Sequence, residues 1–371
     1  MTNPLGRPGR LGPIIVAQTA AAAFSSFPSP FYHRIAAATG SPWTTTVLSV
    51  AHGTAAAAAM ALLTRPALAA RVTRLRPGRL IPILLLLDAA GAVPLILAPA
   101  PAGVGPLLLG RIITGVALGA LTPLTTTALA PHRHGTVLAT GAIFGGVGGG
   151  ALVAGALAAS GLPRAAVFGI GALGLLAAAA AGARQWPPDG QRPPAAGPHG
   201  DGIAEPVRPG APAMPPRATG RGHTVIIGGA ALAFTANGIL GLFSSTLPGL
   251  VAERSGGSEL VAGASAGLVL LAAGAARLGV TRVPAAAVRW AALAVALLGI
   301  VIFVAGLRTG TASVALTGGM LLGAAAGICY DTALALATGR RAQVRLIARV
   351  QYAGQLGLVL PVAVYPLVVP P

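Results

Sequence analysis

Three ionisable side chains stand inside long apolar runs of this sequence: Asp88 in LLLLDAAGAVPL, Arg111 in LLLGRIITGVAL and Asp331 in GICYDTALAL. A charge at the centre of a membrane helix costs about 3 kcal/mol on insertion scales, so it marks a buried pair or a pathway for ions or substrate. A carboxylate can take up and release a proton, whereas an arginine stays charged. Asp88, near the middle of its run, is the expected proton carrier. Arg111, in the outer half of the next run, is the group whose approach would eject that proton. Alternation between paired and unpaired states would tie protonation to a conformational change; a fixed structural ion pair is the plainer alternative. Asp331 lies closer to the inner surface, as a gate or capping residue. The seven acids are scattered, without the Asp-rich motif or His–acid pair that a membrane-embedded transferase needs, so no enzyme is expected. His132 and His134 share a turn without further ligands, so no metal or cofactor is expected either.

These side chains need elements that cross a membrane. The chain has 371 residues, 54% of them hydrophobic and only 9% charged, against about 25% charged in soluble domains. So little charge cannot solvate a surface of this size. Runs of about 20 apolar residues, long enough to span, occur at 11–32, 42–64, 79–99, 104–130, 136–160 and 165–184, then at 223–250, 259–277, 284–307, 311–336 and 346–369. They are too long, and too free of alternation, for barrel strands. The net charge of +18 comes entirely from arginine, with no lysine. With the N-terminus inside, twenty of the twenty-five arginines fall in cytoplasmic segments, four fall outside and Arg111 lies within a span. Cytoplasmic loops favour basic residues, so the charge reports topology, not nucleic-acid binding. The expected protein is a multi-pass inner or plasma membrane protein with a cytoplasmic N-terminus and an external C-terminus.

Residues 185–222 are rich in Pro and Gly and carry three of the seven acids. They read as a flexible cytoplasmic linker between a six-span bundle at 1–184 and a five-span bundle at 223–371. The two parts share features in the same order. Phe24-Ser25-Ser26 precedes Arg34 as Phe243-Ser244-Ser245 precedes Arg254, and Arg71 and Arg74 follow the second span as Arg277 and Arg282 follow the eighth. Arg111, Gly115 and Gly119 in the fourth span match Gly319, Gly323 and Gly327 in the tenth. Such repeats place a substrate site at their interface near the midplane. The fold expected is an all-α polytopic membrane protein with two pseudo-repeated bundles of 6 and 5 transmembrane helices around a central cavity.

With these features the sequence resembles the major facilitator superfamily of secondary transporters. GRIITGVALGALTP at 110–123 is similar to the family's fourth-helix motif, an arginine followed by glycines at fourfold spacing. TGAIFGGVGGGALVAG at 140–155 is similar to the antiporter motif of the drug-efflux branch, with Gly141, Gly145, Gly149 and Gly150 in register and Gly146 where the family has proline. The loop RPALAARVTRLRPGR keeps the basic character of the family's gating loop, with Arg74, Gly78 and Arg79, but lacks its aspartate. The family has twelve spans, and this sequence reads eleven. The resemblance implies alternating access by a monomer in the bilayer, with efflux of a small, largely apolar compound in exchange for protons; uptake by proton symport, or a scaffold or receptor without transport, is the alternative. It also implies that the first, fourth, seventh and tenth spans line the cavity, offering Gln18, Phe24, Thr114, Phe234, Thr235, Asn237 and Tyr330. Glycines four apart let helix backbones approach closely, so Leu at Gly145 or Gly149 is expected to block transport.

Overall fold

Inside a bilayer the backbone has no water to bond, so each long apolar run closes its own hydrogen bonds as a helix. The computed structural model describes residues 11–41, 43–75, 77–98, 104–185, 219–254, 258–279, 285–338 and 343–368. Its regular structure comprises α1 (Leu11–Ser26), α2 (Tyr32–Thr39), α3 (Trp43–Leu63), α4 (Pro66–Arg74), α5 (Pro77–Leu97), α6 (Val104–Leu129) and α7 (Gly135–Ala159). It continues with α8 (Arg164–Gln185), α9 (Thr219–Arg254), α10 (Glu259–Gly279), α11 (Ala285–Thr309), α12 (Ala312–Thr338) and α13 (Val344–Val368). Eleven helices among the described residues are long and apolar enough to cross a membrane. The protein is an all-α, multi-pass membrane protein. The expected linker lies almost wholly outside the described residues.

Two segments differ from the hydropathy reading. The first span continues through a short 3-10 turn at Ser29–Phe31 into α2. Pro28 and Pro30 interrupt the regular ladder there, since proline offers no N–H. The loop after the second span contains the short helix α4 with Pro66 at its first position, where the missing N–H would be unpaired in any case.

In the first half α3 packs along α6, α1 along α7, and α5 between α6 and α8; in the second, α9 packs along α13 and α12, and α10 and α11 along α12. The halves meet through α7 on α10 and α3 on α13. Exchanging the halves turns α3 into α10 and α7 into α13, so these two contacts are each other's counterpart. Leu297, Leu298, Ile300 and Val301 of α11 are at least half or nearly half exposed, as befits an outer helix facing lipid.

Close packing rests on glycine. A Cβ on Gly115 or Gly119 of α6 would collide with the carbonyl oxygens of His52 or Ala56 on α3. One on Gly323 or Gly327 of α12 would collide with those of Val269 or Ala273 on α10. In both halves, glycines four apart accept a neighbour's backbone, also at fourfold spacing. The sixth and twelfth helices of the numbering used here thus meet corresponding partners in the same way. On α7 the ridge is not the one expected. A Cβ on Gly146 would stand 2.6 Å from Thr19 O and one on Gly148 2.6 Å from Gly267 O, while Gly150 abuts Ala23 of α1. Gly145 and Gly149 would meet nothing within 4 Å, and Gly141 only Gly274 O at 3.9 Å. Fourfold spacing picked the open face because α7 carries glycine on several faces at once.

Candidate functional site

A cavity lies between the halves, walled by α1, α3, α6 and α7 on one side and α9, α10, α12 and α13 on the other. No residue of α5, α8 or α11 reaches it. The space open to the centres of water-sized groups is about 140 Å3. The matched serine pairs of the two halves, Ser25 with Ser26 and Ser244 with Ser245, all line it. Ser25 donates to the Ala22 carbonyl of its own helix (2.7 Å), and Ser244 and Ser245 to that of Gly241 (3.2 and 2.8 Å), whereas Ser26 Oγ lies between two acceptors, Ala23 O of its own helix (2.8 Å) and Val147 O of α7 (2.7 Å). Such bonds hide a hydroxyl's proton while leaving lone pairs toward the cavity.

Arg111 is 5% exposed and contributes the one charged side chain among the described lining residues. Its Nη1 donates to the Ser25 carbonyl at 2.7 Å, whereas its Nε has no hydrogen-bond partner. Beside it His52, also in the wall, places Nδ1 3.2 Å from both the Arg111 carbonyl and Thr114 Oγ1. A carbonyl can only accept, so a bond to it requires the proton on Nδ1 and leaves Nε2 as an acceptor. Across the cavity Asn237 is 6% exposed, with Oδ1 unpartnered. Asp88 is buried in α5, outside the cavity wall, and neither carboxylate oxygen has a hydrogen-bond partner. Asp88 and Arg111 form no ion pair in this conformation.

The expected cavity residues therefore separate. Asn237 and Tyr330 line the cavity. Gln18 is wholly buried between α1 and α6, where its Nε2 donates to Thr122 Oγ1 at 3.3 Å and its Oε1 accepts from Thr125 Oγ1. Phe24 packs on Phe27, with ring centroids 5.6 Å apart. Thr114 is held behind the wall by His52. Phe234 and Thr235 are exposed on the outer face of α9. Of the gating-loop residues, the Arg74 side chain lies outside the described residues, while Gly78 and the exposed Arg79 sit in the first turn of α5. The serines were legible only as a repeat signature, and His52, in an alanine-rich run, carried no signal of its own.

Contacts between the halves flank the cavity. At one end Arg34, after α1, forms an ion pair with the buried Glu259 at the start of α10, and His33 Nε2 lies 3.9 Å from the same carboxylate. Toward the other end Gln351 Nε2 of α13 donates to Thr126 Oγ1 of α6 at 2.9 Å, and the Phe144 and Tyr330 rings meet edge to face, centroids 5.1 Å apart. Asp331 is buried nearby, with Oδ2 2.8 Å from Arg277 Nε of its own half and the Thr136 side chain of α7 hydrogen-bonded to its carboxylate from the other. The Arg277 contact lacks hydrogen-bond alignment, so the attraction is chiefly coulombic.

No family model and no curated protein matches the sequence. Among solved structures, the chain is similar to the crystal structure of a bacterial homolog of the human lysosomal transporter Spinster, captured inward-facing and unoccupied. The TM-score is 0.63 at 15% identity, over 97% of this chain and 82% of that one. The likeness is one of fold.

Proposed function

We propose that this protein is a secondary active transporter that works by alternating access, its halves, 11–185 and 219–368, rocking about the central cavity. One observation carries the reading. A cavity enclosed between corresponding helices of both halves holds a buried arginine with an unpartnered nitrogen. A scaffold has no need of such a charge at this depth, where it costs about 3 kcal/mol. The two layers of contacts fit the cycle. With the N-terminus inside, opening outward requires Arg34–Glu259 to part, and opening inward requires Gln351–Thr126 and Phe144–Tyr330 to part.

Proton-coupled efflux is the direction we propose, on the resemblance of the fifth span to the antiporter pattern. Asp88 is the proton carrier in this reading, and Asp331 a gate residue held by Arg277. The test is twofold. Growth-inhibition panels compare expressing and non-expressing cells, and the compounds tolerated better are then assayed in vesicles with and without a pH gradient. Raised tolerance together with gradient-driven movement supports the reading. Unchanged tolerance throughout, with gradient-driven accumulation inside cells, would reverse the direction. No movement of any compound by inserted protein would leave a scaffold.

A further inference from the structure

The cavity's polar groups are unevenly committed. The four serine hydroxyls spend their protons on backbone carbonyls, and no carboxylate is among the described lining residues. Arg111 is thus a positive charge with no negative partner in the cavity, and its Nε is a donor with nothing to bond. A buried cation in that state is costly unless paired and hydrogen-bonded. Asp88 feels the Arg111 charge but makes no ion pair or hydrogen bond with it. Leu118, Ile143, Phe144, Val147, Leu240 and Leu270 make much of the remaining lining apolar. The about 140 Å3 open to the centres of water-sized groups leaves room for a small organic ligand.

We propose that the cavity selects small amphipathic organic anions: one carboxylate- or sulfonate-type group paired with Arg111, and a small apolar body against the aliphatic and aromatic wall. This names the substrate class of the transport site and rests on that reading for its purpose, though the binding chemistry stands without transport. Guanidinium suits such groups because its N–H donors form a planar fork that matches a carboxylate. A compound carrying an ammonium instead meets the like charge of Arg111 in a low-dielectric space. Asn237 Oδ1, unpartnered on the facing half, is an acceptor, so it faces the ligand's body and not its anionic group.

The test uses the purified full-length protein and compounds that share one apolar body. Radiolabelled 4-phenylbutyrate is bound at equilibrium and displaced by 4-phenylbutanesulfonate, 4-phenylbutyramide or 4-phenylbutylamine. The sulfonate is expected to compete within a few fold of the acid, the amide at least tenfold more weakly, and the amine more weakly still. In Arg111→Gln the acid-to-amide ratio collapses toward one, and in Arg111→Lys a reduced preference for the acid survives. Absence of saturable binding of both anions overturns the proposal. So does an amide or amine that binds as well as the acid, or an Arg111→Gln protein that keeps the wild-type ratio. If Arg111→Gln does not insert, the wild-type ranking and the Lys variant decide. Transport is read separately in proteoliposomes. Anion binding without movement refutes the transporter reading alone, and movement of only the amide or the amine refutes the anion proposal alone.

Discussion

The two halves of this protein pack alike and handle charge differently. In each, glycines four apart on one helix accept a neighbour's carbonyls, α6 on α3 through Gly115 and Gly119 and α12 on α10 through Gly323 and Gly327. The second half then pairs its buried acid, Asp331 with Arg277. The first half leaves Asp88 without a partner and Arg111 with a free Nε at the cavity. The backbone scaffold was thus kept in duplicate, while the unsatisfied charges are concentrated in one copy. A paired charge holds structure in place; an unpaired one is available to a ligand or a proton. The proposed ligand and proton groups accordingly both lie in the first half.

The comparison can be broken first at the glycines. Gly119→Leu and Gly327→Leu both force a side chain into a neighbouring backbone. Overpacking typically costs 1–3 kcal/mol, and more where rigid atoms must move, so each should lose about 3 kcal/mol. Size-exclusion profiles and melting of the solubilised protein measure this; loss in one variant alone would mean that the two ridges are not equivalent. The charges give the next contrast. Asp331→Asn should cost about 1–2 kcal/mol, below the about 3–5 of a fully buried pair, because the Arg277 side chain keeps 23% exposure. Asp88→Asn should melt within about 0.5 kcal/mol of wild type, since no hydrogen bond is lost, yet lose pH-gradient-driven transport per inserted molecule. A destabilised but still gradient-driven Asp88→Asn protein would make Asp88 structural.

Smaller effects sharpen the picture. Arg34→Gln removes a contact at one end of the cavity whose arginine is 64% exposed. It should cost at most about 1 kcal/mol while raising the reactivity of cysteines placed at that end of the cavity. Unchanged reactivity would show that this ion pair does not hold that end closed. Least affected should be Gly145→Leu and Gly149→Leu, whose added side chains meet open space. Transport within about twofold of wild type is expected, the opposite of what the fourfold spacing in the sequence implies.

The sequence carried much of the fold because the bilayer acts on each segment by itself. Length and hydropathy bounded the helices to within a few residues, even at α11 and α13, and the short helix α4 escaped because its nine residues span nothing. The site was less legible. Asn237 and Tyr330 were found by helix number, but so were Phe234 and Thr235, which the same rule could not distinguish from them. Ser25, Ser26, Ser244 and Ser245 were visible as a repeat without a role, and His52 was not visible at all.

What the sequence alone determined, then, is the number of long apolar helices and the asymmetry of arginine between their ends, since both follow from transferring each segment from water into lipid. The tertiary structure decided which face of each helix meets the cavity and which glycines meet a backbone. Lipid tails and protein interior are equally apolar, so a membrane helix need not mark its buried face with a hydrophobic stripe. On α7, where glycine occurs on several faces, only the positions of α1 and α10 distinguish Gly146, Gly148 and Gly150 from Gly145 and Gly149. Nor could the chain order reveal that Arg277 would reach Asp331 while Asp88 and Arg111 stayed apart. Those outcomes depend on distances between helices, which spacing within a helix does not encode.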